Sequence, residues 1–490
     1  MCPRKFTLPR REFLKLSAAA VAGMAIAPSC TIGMDNIPAP LKRRFGKTGF
    51  DVTTLGLGGQ ASIQWTGEGI DPVAIILKAF KLGINYFDTS NLYQLSQTHY
   101  GEAFRQLNLV PGKEGYDREL RESIFLTTKS HIRWGKKGFP EHENVGNWTQ
   151  GDHGEGVIGD LKRSLTQMFG DGKGYYPEGA YVNMVLIHSL NNSDEVDVLY
   201  RGLETPLDPE GNFGALVALR DYRDGTDHTG LNPNKEKLLR HIGFSGHRSS
   251  PAMMDMIQRD EYGILDAMLV AINPNDRLKM NMQYNVIPVA QAKNMGIIAM
   301  KVFADGAMYT KNAEWSNKPE HVVMSVGSGE LPSKPLVEYA LTIPGVHTAI
   351  IGIGHIDEDP LKCQLVQNYY AAQVEPGDLT EADRRMIEEK TRTVKDGKTN
   401  YFQLDNEGLS APGNPRIEGE TLAWDTAIAG DEPIDKYEIL AGEQIIGEVV
   451  HIPQVSKKPF NFKGLKKGVS YRVAVVDRAG RKKVSDVLMC

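Results

Sequence analysis

Residues 54–59 read TLGLGG, a short apolar strand running into paired glycines. An open nucleotide-binding sheet carries GxGxxG at this point, for a tight turn, a close phosphate and a packed helix. Gly56-Leu57-Gly58-Gly59 lacks that spacing. Counting Thr54–Gly58 as the first, eight short apolar strands follow one another. The other seven are Ile84–Phe87, Ser123–Thr127, Val182–Ile187, His241–Phe244, Ala267–Ile272, Gly296–Met300 and Thr348–Ile351. Between them, Leu161–Phe169, Pro251–Arg259, Val286–Asn294, Lys334–Leu341 and Pro360–Tyr370 have helical apolar spacing. Asp71-Pro72 reads as an N-cap with proline at N1, and Gly83 as a left-handed C-terminal stop. Strands alternating with helices imply a parallel sheet, and eight strands close it. The expected fold is therefore α/β, a (β/α)8 TIM barrel. Just upstream, RRFGKTGFDV over 43–52 predicts a β-hairpin.

Three long inserts, Gly135–Gly156, Asn191–Glu210 and Asp305–Leu331, follow the third, fourth and seventh strands. That is the face on which barrel enzymes build their sites, so the inserts read as walls or lids. Trp134, Trp148 and Trp315 lie in or beside them. They either stack on a ligand such as a sugar ring or form the inserts' own cores. Beyond residue 394 the pattern changes. Residues 395–415 are polar and turn-rich and read as a linker. Thr421–Asp425, Lys436–Ala441, Ile445–Ile452, Phe460–Phe462 and Ser470–Val476 then alternate with turns, which predicts an all-β sandwich over 416–490. The barrel is expected over 41–394.

The chain has 490 residues, 41% hydrophobic and 24% charged, with net charge −5. No long basic stretch stands out, which argues against nucleic acid. Four scattered cysteines, Cys2, Cys30, Cys363 and Cys490, form no metal-binding pattern, so no metal is expected. The first forty residues read as an address. Arg10-Arg11-Glu-Phe-Leu-Lys precedes an apolar run, Leu16–Ala27, too short to span a bilayer. Paired arginines in that setting resemble the twin-arginine export motif. The expected location is periplasmic or cell-envelope. Ala25-Ile26-Ala27 fits a cleavage site, while Ala27-Pro28-Ser29-Cys30 resembles a lipoprotein box with Cys30 as a lipid anchor.

Four polar residues stand at the ends of consecutive strands: Asp88, Tyr93 five residues on, Lys129 and His188. On one rim of a barrel they can converge. Carbonyl reduction needs a hydride and a proton for the developing alkoxide. A free tyrosine has a pKa near 10, and a neighbouring ammonium favours its phenolate. Lys129 fits that part, with Asp88 to balance it and His188 to orient the carbonyl oxygen. Each residue alone also fits a cap, a core ring, a surface charge or a loop hydrogen bond.

The stretches RRFGKTGFDVTTLGLGG, GINYFDTSNLY, FLTTKS, VLIHS, IGFSGH, GIIAMKVFADG and PGVHTAIIGIG resemble the aldo-keto reductase family, in its order, across residues 42–370. The resemblance implies Tyr93 as general acid/base, Lys129 and Asp88 as its partners and His188 as substrate orienter. It also implies a nicotinamide cofactor touching Gly58, Gly59, Ser245, Gly246, Asn273, Lys301, Val302, Gly352, Gly354 and His355. The sequence departs from the family at Gly246, where Asn is common, and at Leu269, where Gln is common. It departs again at Asp357-Glu358-Asp359, where relatives carry a basic residue for the 2′-phosphate of NADP. Acids there repel that phosphate and suit ribose hydroxyls; they also suit a helix cap through Asp359-Pro360. Both NAD(H) and NADP(H) stay open. The ending YRVAVVDRAGRKKVSD, with Trp424, Tyr437, Leu465 and Tyr471, resembles a fibronectin type III module.

The expected function is an exported oxidoreductase acting on a small carbonyl or alcohol, with a sugar derivative among the candidates. Free nicotinamide cofactors are scarce outside the cytoplasm, so a cofactor loaded before export is part of that expectation. The alternative is a non-redox ligand-binding protein on the same barrel.

Overall fold

The computed structural model describes residues 37–490 apart from 61, 137, 140–141 and 209. The segment expected to be an export signal, with Cys2 and Cys30, lies outside the described residues. Strands β1 (Lys42–Arg44) and β2 (Asp51–Thr53) form the expected hairpin, its turn closed by Gly49 at φ 76°. Eight parallel strands then close into a barrel. They are β3 (Leu55–Gly58), β4 (Tyr86–Asp88), β5 (Phe125–Ser130), β6 (Val182–Leu190), β7 (Leu239–Gly246), β8 (Leu265–Ala271), β9 (Gly296–Met300) and β10 (Thr348–Ile351), with β10 pairing both β9 and β3. Asp71 caps the helix Pro72–Lys81 by accepting from the Val73 amide at 2.8 Å, and Gly83 follows at φ 75°.

Alternate residues of the strands fill the barrel: Tyr86, Phe125, Met184, Leu186, Ala267, Leu269 and Ile298. The hairpin plugs one end with Phe45, whose ring meets Tyr86 and Phe125 edge-on at 5.8 and 5.2 Å. Gly296 makes that possible, since a Cβ there would lie 2.4 Å from the Phe45 ring. Each fully buried side chain of this size stabilises the fold by roughly 1.5–3 kcal/mol. The closed end leaves the other, carboxyl end for chemistry.

Several boundaries differ from the sequence reading. β5, β6 and β7 run two or more residues further, because each parallel neighbour continues to supply hydrogen-bond partners: Lys129 aligns with Leu186, and Leu190 with Gly246. The helix expected over Pro360–Tyr370 begins later, at Gln364. Asp359 accepts from the Leu361 amide in a preceding turn instead of capping the helix.

A helix, Glu381–Arg392, is fixed by a Thr380/Asp383 capping box and leads into residues 393–404. This stretch packs on the barrel: Asn273 donates to Asn400 at 2.9 Å, Asn275 to Thr399 at 3.0 Å, and Gln403 to Asp276. After it come two antiparallel sheets. One joins β11 (Gly413–Glu418), β12 (Thr421–Asp425) and β15 (Phe460–Lys463). The other joins β13 (Ile434–Ala441), β14 (Gln444–Val450), β16 (Ser470–Asp477), β17 (Lys482–Val484) and β18 (Leu488–Met489). Trp424, Tyr437, Ile439, Tyr471, Val473 and Val475 form their shared core. The sheets dock on the barrel through Asn281 to Gly430 O, Asn285 to Ala429 and Gln258 to Gln454 O.

Candidate active site

Asp88 is the last residue of β4. The chain then turns back over the rim, held by backbone bonds from Thr89 to Thr127 O and from Asn91 to Lys129 O. This fold-back aims Tyr93 at the barrel axis. Lys129 and His188 lie on β5 and β6 themselves, not beyond them, so the sheet fixes their positions.

The four side chains converge. Lys129 Nζ donates to Asp88 Oδ2 at 2.5 Å, to Thr89 O at 2.9 Å and to Tyr93 Oη at 3.4 Å. Its three donors are thereby used. Tyr93 Oη lies 3.5 Å from His188 Nε2, and Ser90 Oγ lies 3.1 Å from His188 Nδ1. If Nδ1 carries the proton toward Ser90, Nε2 is left to accept beside Tyr93. All four residues are buried. Burial pushes Asp88 up and Lys129 down, and their close contact counters both shifts. Burial, then the Asp88 and Asp305 carboxylates, hold the Tyr93 phenol well above its usual value. Lys129 is the cation expected from the sequence to lower it. In the structure the ammonium sits closer to Asp88 than to the phenol, so burial decides the direction. Burial and Lys129 also keep His188 neutral at ordinary pH.

A cleft of about 140 Å³ opens beside Asp88 and Tyr93. It runs past Gly58, then Met300–Val302, then Gly352 and Gly354, to Gln364 and Asn368. The Asp305–Leu331 insert forms its outer wall, as expected of that segment. Three buried polar atoms of residues lining it, Asp88 Oδ1, Tyr309 Oη and Asn368 Oδ1, have no hydrogen-bond partner among the described residues. A polar ligand in the cleft would satisfy them, which is the donor and acceptor chemistry a nicotinamide cofactor offers.

Of the residues expected to touch cofactor, Gly58, Lys301, Val302, Gly352 and Gly354 line this cleft. The other five do not. A Cβ on Gly59 would meet Asp88 O at 2.4 Å, so this glycine serves close packing of two strand ends. Ser245 Oγ accepts from the Ser189 amide, and Gly246 backs onto Met253. Asn273 is held by Lys301 O and Asn400. The His355 amide is bound by Gln364 and its ring faces Asp357. Sequence reasoning missed Gln60, Asp305, Tyr309, Gln364 and Asn368. Only Asp305 left a signal, as an acid four residues after Lys301 at a strand exit.

The inserts divide between the two roles foreseen for their tryptophans. Trp134 is fully buried with Ile132, Val145 and Val198. Trp148, 63% exposed, stacks on His131 at 4.6 Å, and Trp315, 45% exposed, lies edge-on to His247 at 5.4 Å. The His131 ring is 6.1 Å from that of His188. Trp148 thus packs beside the His131–His188 pair, and Trp315 beside His247 and Lys301.

The barrel and its rim group define an enzyme class that works from the carboxyl ends of parallel strands. The aldo/keto reductase family model matches residues 54–326, and the chain belongs to that family. It is also similar to solved structures. An aldo-keto reductase from Bacillus halodurans, in its holo form, is 19% identical over 72% of this chain and 96% of that one, with TM-score 0.44. One from Klebsiella pneumoniae in complex with NADPH is 17% identical over 71% and 95%, with TM-score 0.43. Another from the same organism, with NADP and acetate, is 16% identical over 71% and 95%, with TM-score 0.41.

Proposed function

We propose that this chain is an exported oxidoreductase that interconverts a small carbonyl compound and its alcohol with NAD(H) or NADP(H). The observation that carries this reading is Tyr93 Oη, set between Lys129 Nζ and His188 Nε2 at the inner end of the cleft. Gly58, Lys301, Val302, Gly352, Gly354 and Asn368 would hold the dinucleotide, which supplies the hydride to the carbonyl carbon. The chain's own part is the proton. Tyr93 is protonated at neutral pH, which is the form needed for reduction. Its hydroxyl donates to the carbonyl oxygen as the alcohol forms, leaving a phenolate faced by the Lys129 ammonium. In the oxidation direction that phenolate takes the hydroxyl proton back. Asp88 fixes Lys129, and neutral His188 accepts or donates at the substrate oxygen.

Export is supported by the Arg10-Arg11 segment and the apolar run after it, with a lipid on Cys30 as one processing outcome. A sugar derivative as substrate is supported by the exposed faces of Trp148, stacked on His131, and Trp315, packed over Lys301 of the cleft. Residues 416–490 act as a fibronectin type III-like module. The Tyr471 hydroxyl, which accepts from the Lys466 amide at 2.8 Å, supports that likeness.

Tyr93→Phe tests the enzymatic reading. It should abolish turnover and leave dinucleotide binding intact. The second reading, ligand capture without redox chemistry, draws on the occupied positions: Gln364 takes the Gly354 and His355 amides, and Asn400 takes Asn273. Failure of the wild-type protein to bind either dinucleotide would favour it.

A further inference from the structure

We propose that residues 393–404, outside the part matched to the family, latch the Asp305–Leu331 insert over the cleft and slow the release of a bound dinucleotide. The proposal rests on the dinucleotide reading of that cleft. Tyr401, Lys395 and Gln364 are its positioning residues; they act through the insert and not on the reacting atoms.

The latch is visible as three sets of bonds. At the insert's start, Asp305 Oδ2 accepts from Tyr401 Oη at 2.9 Å, Lys311 Nζ at 3.0 Å and the Ser316 amide at 3.1 Å. Its other oxygen lies 3.5 Å from Lys301 Nζ, which lines the cleft beside Tyr93. Lys395 Nζ donates to Ala307 O at 2.7 Å and to Lys311 O. At the insert's far end, Gln364 Nε2 donates to Val323 O and Ser325 O at 3.0 and 2.6 Å. Its Oε1 accepts from the amides of Gly354 and His355. A Cβ on Gly354 would sit 2.5 Å from Val323 O, so insert and strand exit are in direct contact.

Aromatic packing closes the same corner. Lys301 Nζ lies over the Trp315 ring at 4.6 Å, and Tyr401 and Phe402 meet that ring at 5.5 and 6.2 Å. Both partners in the contact hold strained backbone. Lys301, Ala304 and Asp305 on one side, and Lys395 and Asp396 on the other, have φ between 49° and 58° without being glycine. Such conformations persist where the surroundings over-determine them. Lifting the insert would unmake these bonds together, leaving buried donors and acceptors unpaired. An enzyme working away from a cofactor pool would gain from such retention.

The test loads the full chain with NADH, and separately with NADPH, and follows fluorescence during association and after dilution into buffer. Tyr401→Phe removes one hydroxyl and keeps the ring packing. Lys395→Met removes a second tie at a different point. Tyr471→Phe, the same change in the sandwich core, is the control. Release should quicken about tenfold in each latch variant, the effect of one buried hydrogen bond to a charged group. Association should quicken with it, while the control stays at the wild-type rates. A latch moves both rates together and leaves Kd nearly fixed, whereas a damaged cleft quickens release without quickening association and so weakens Kd. Unchanged rates in the two latch variants, or faster release without faster association, would overturn the proposal. Absence of NADH and NADPH binding in the wild type would overturn the dinucleotide reading itself, and the latch with it.

Discussion

The two ends of the cleft are built in different ways. At the inner end, Asp88, Lys129 and His188 lie on strands, and Tyr93 hangs from a loop pinned to the neighbouring strand by backbone bonds. At the outer end, Asp305, Gln364 and Tyr401 come from an insert, a late helix and a C-terminal segment, joined by side-chain bonds. The inner end inherits its precision from the sheet. The outer end depends on contacts between residues far apart in sequence. Changes at the inner end should therefore strike chemistry, and changes at the outer end exchange.

The largest expected effect is at Tyr93. Tyr93→Phe should lower kcat by about 10²–10⁴-fold, the usual worth of a general acid/base, with Kd for the dinucleotide preserved. Steady-state rates alongside a binding titration would show the split. A parallel loss of binding would mean that the two ends are not separable. Next comes Lys129→Met, which leaves the buried Asp88 carboxylate without its cation. Breaking such a pair costs about 3–5 kcal/mol, read as a lower Tm. Asp88→Asn together with Lys129→Met should recover much of the stability and none of the activity.

Acid should unfold the protein through buried histidines spread over the barrel and the sandwich. Burial pushes His247 down to about 3 and His347 and His451 to about 4; it also lowers His131 and His188. Each binds a proton more readily when unfolded. Their contribution is thus complete above pH 6.5, declines as pH falls below it, and is gone beneath the folded value. The slope approaches about 1.4 kcal/mol per pH unit for each such group. Asp160 and Asp276, raised to about 6 by burial, act in the opposite sense between pH 6 and 4 and offset part of the loss. Thermal melts from pH 7 to 4 should show Tm falling; a flat profile would contradict the neutral, buried histidines. Gln364→Ala should have the smallest effect, roughly 1–3 kcal/mol for the groups it leaves unpaired. It should speed cofactor exchange more than it lowers kcat.

How far the sequence could be read follows the same division. Strand periodicity is local, so all eight barrel strands and five strands of the sandwich were visible, with errors at their ends; β11, β17 and β18 were not, β11 starting inside the stretch read as a linker. Asp88, Tyr93, Lys129 and His188 were legible because each is tied to a strand end. Gln364 and Tyr401 were not, since their partners lie some forty and a hundred residues away and no local pattern marks them. The turn-rich composition of 395–415 likewise hid Thr399, Asn400 and Phe402, which are buried against the barrel.

The most direct test is to purify the chain without added cofactor, denature it and identify any released nucleotide by mass spectrometry. An empty preparation would then be titrated with NADH and NADPH. The account predicts one nicotinamide dinucleotide per chain, either released on denaturation or bound on titration. A protein that releases none and binds neither would contradict it and leave ligand capture as the function of this barrel.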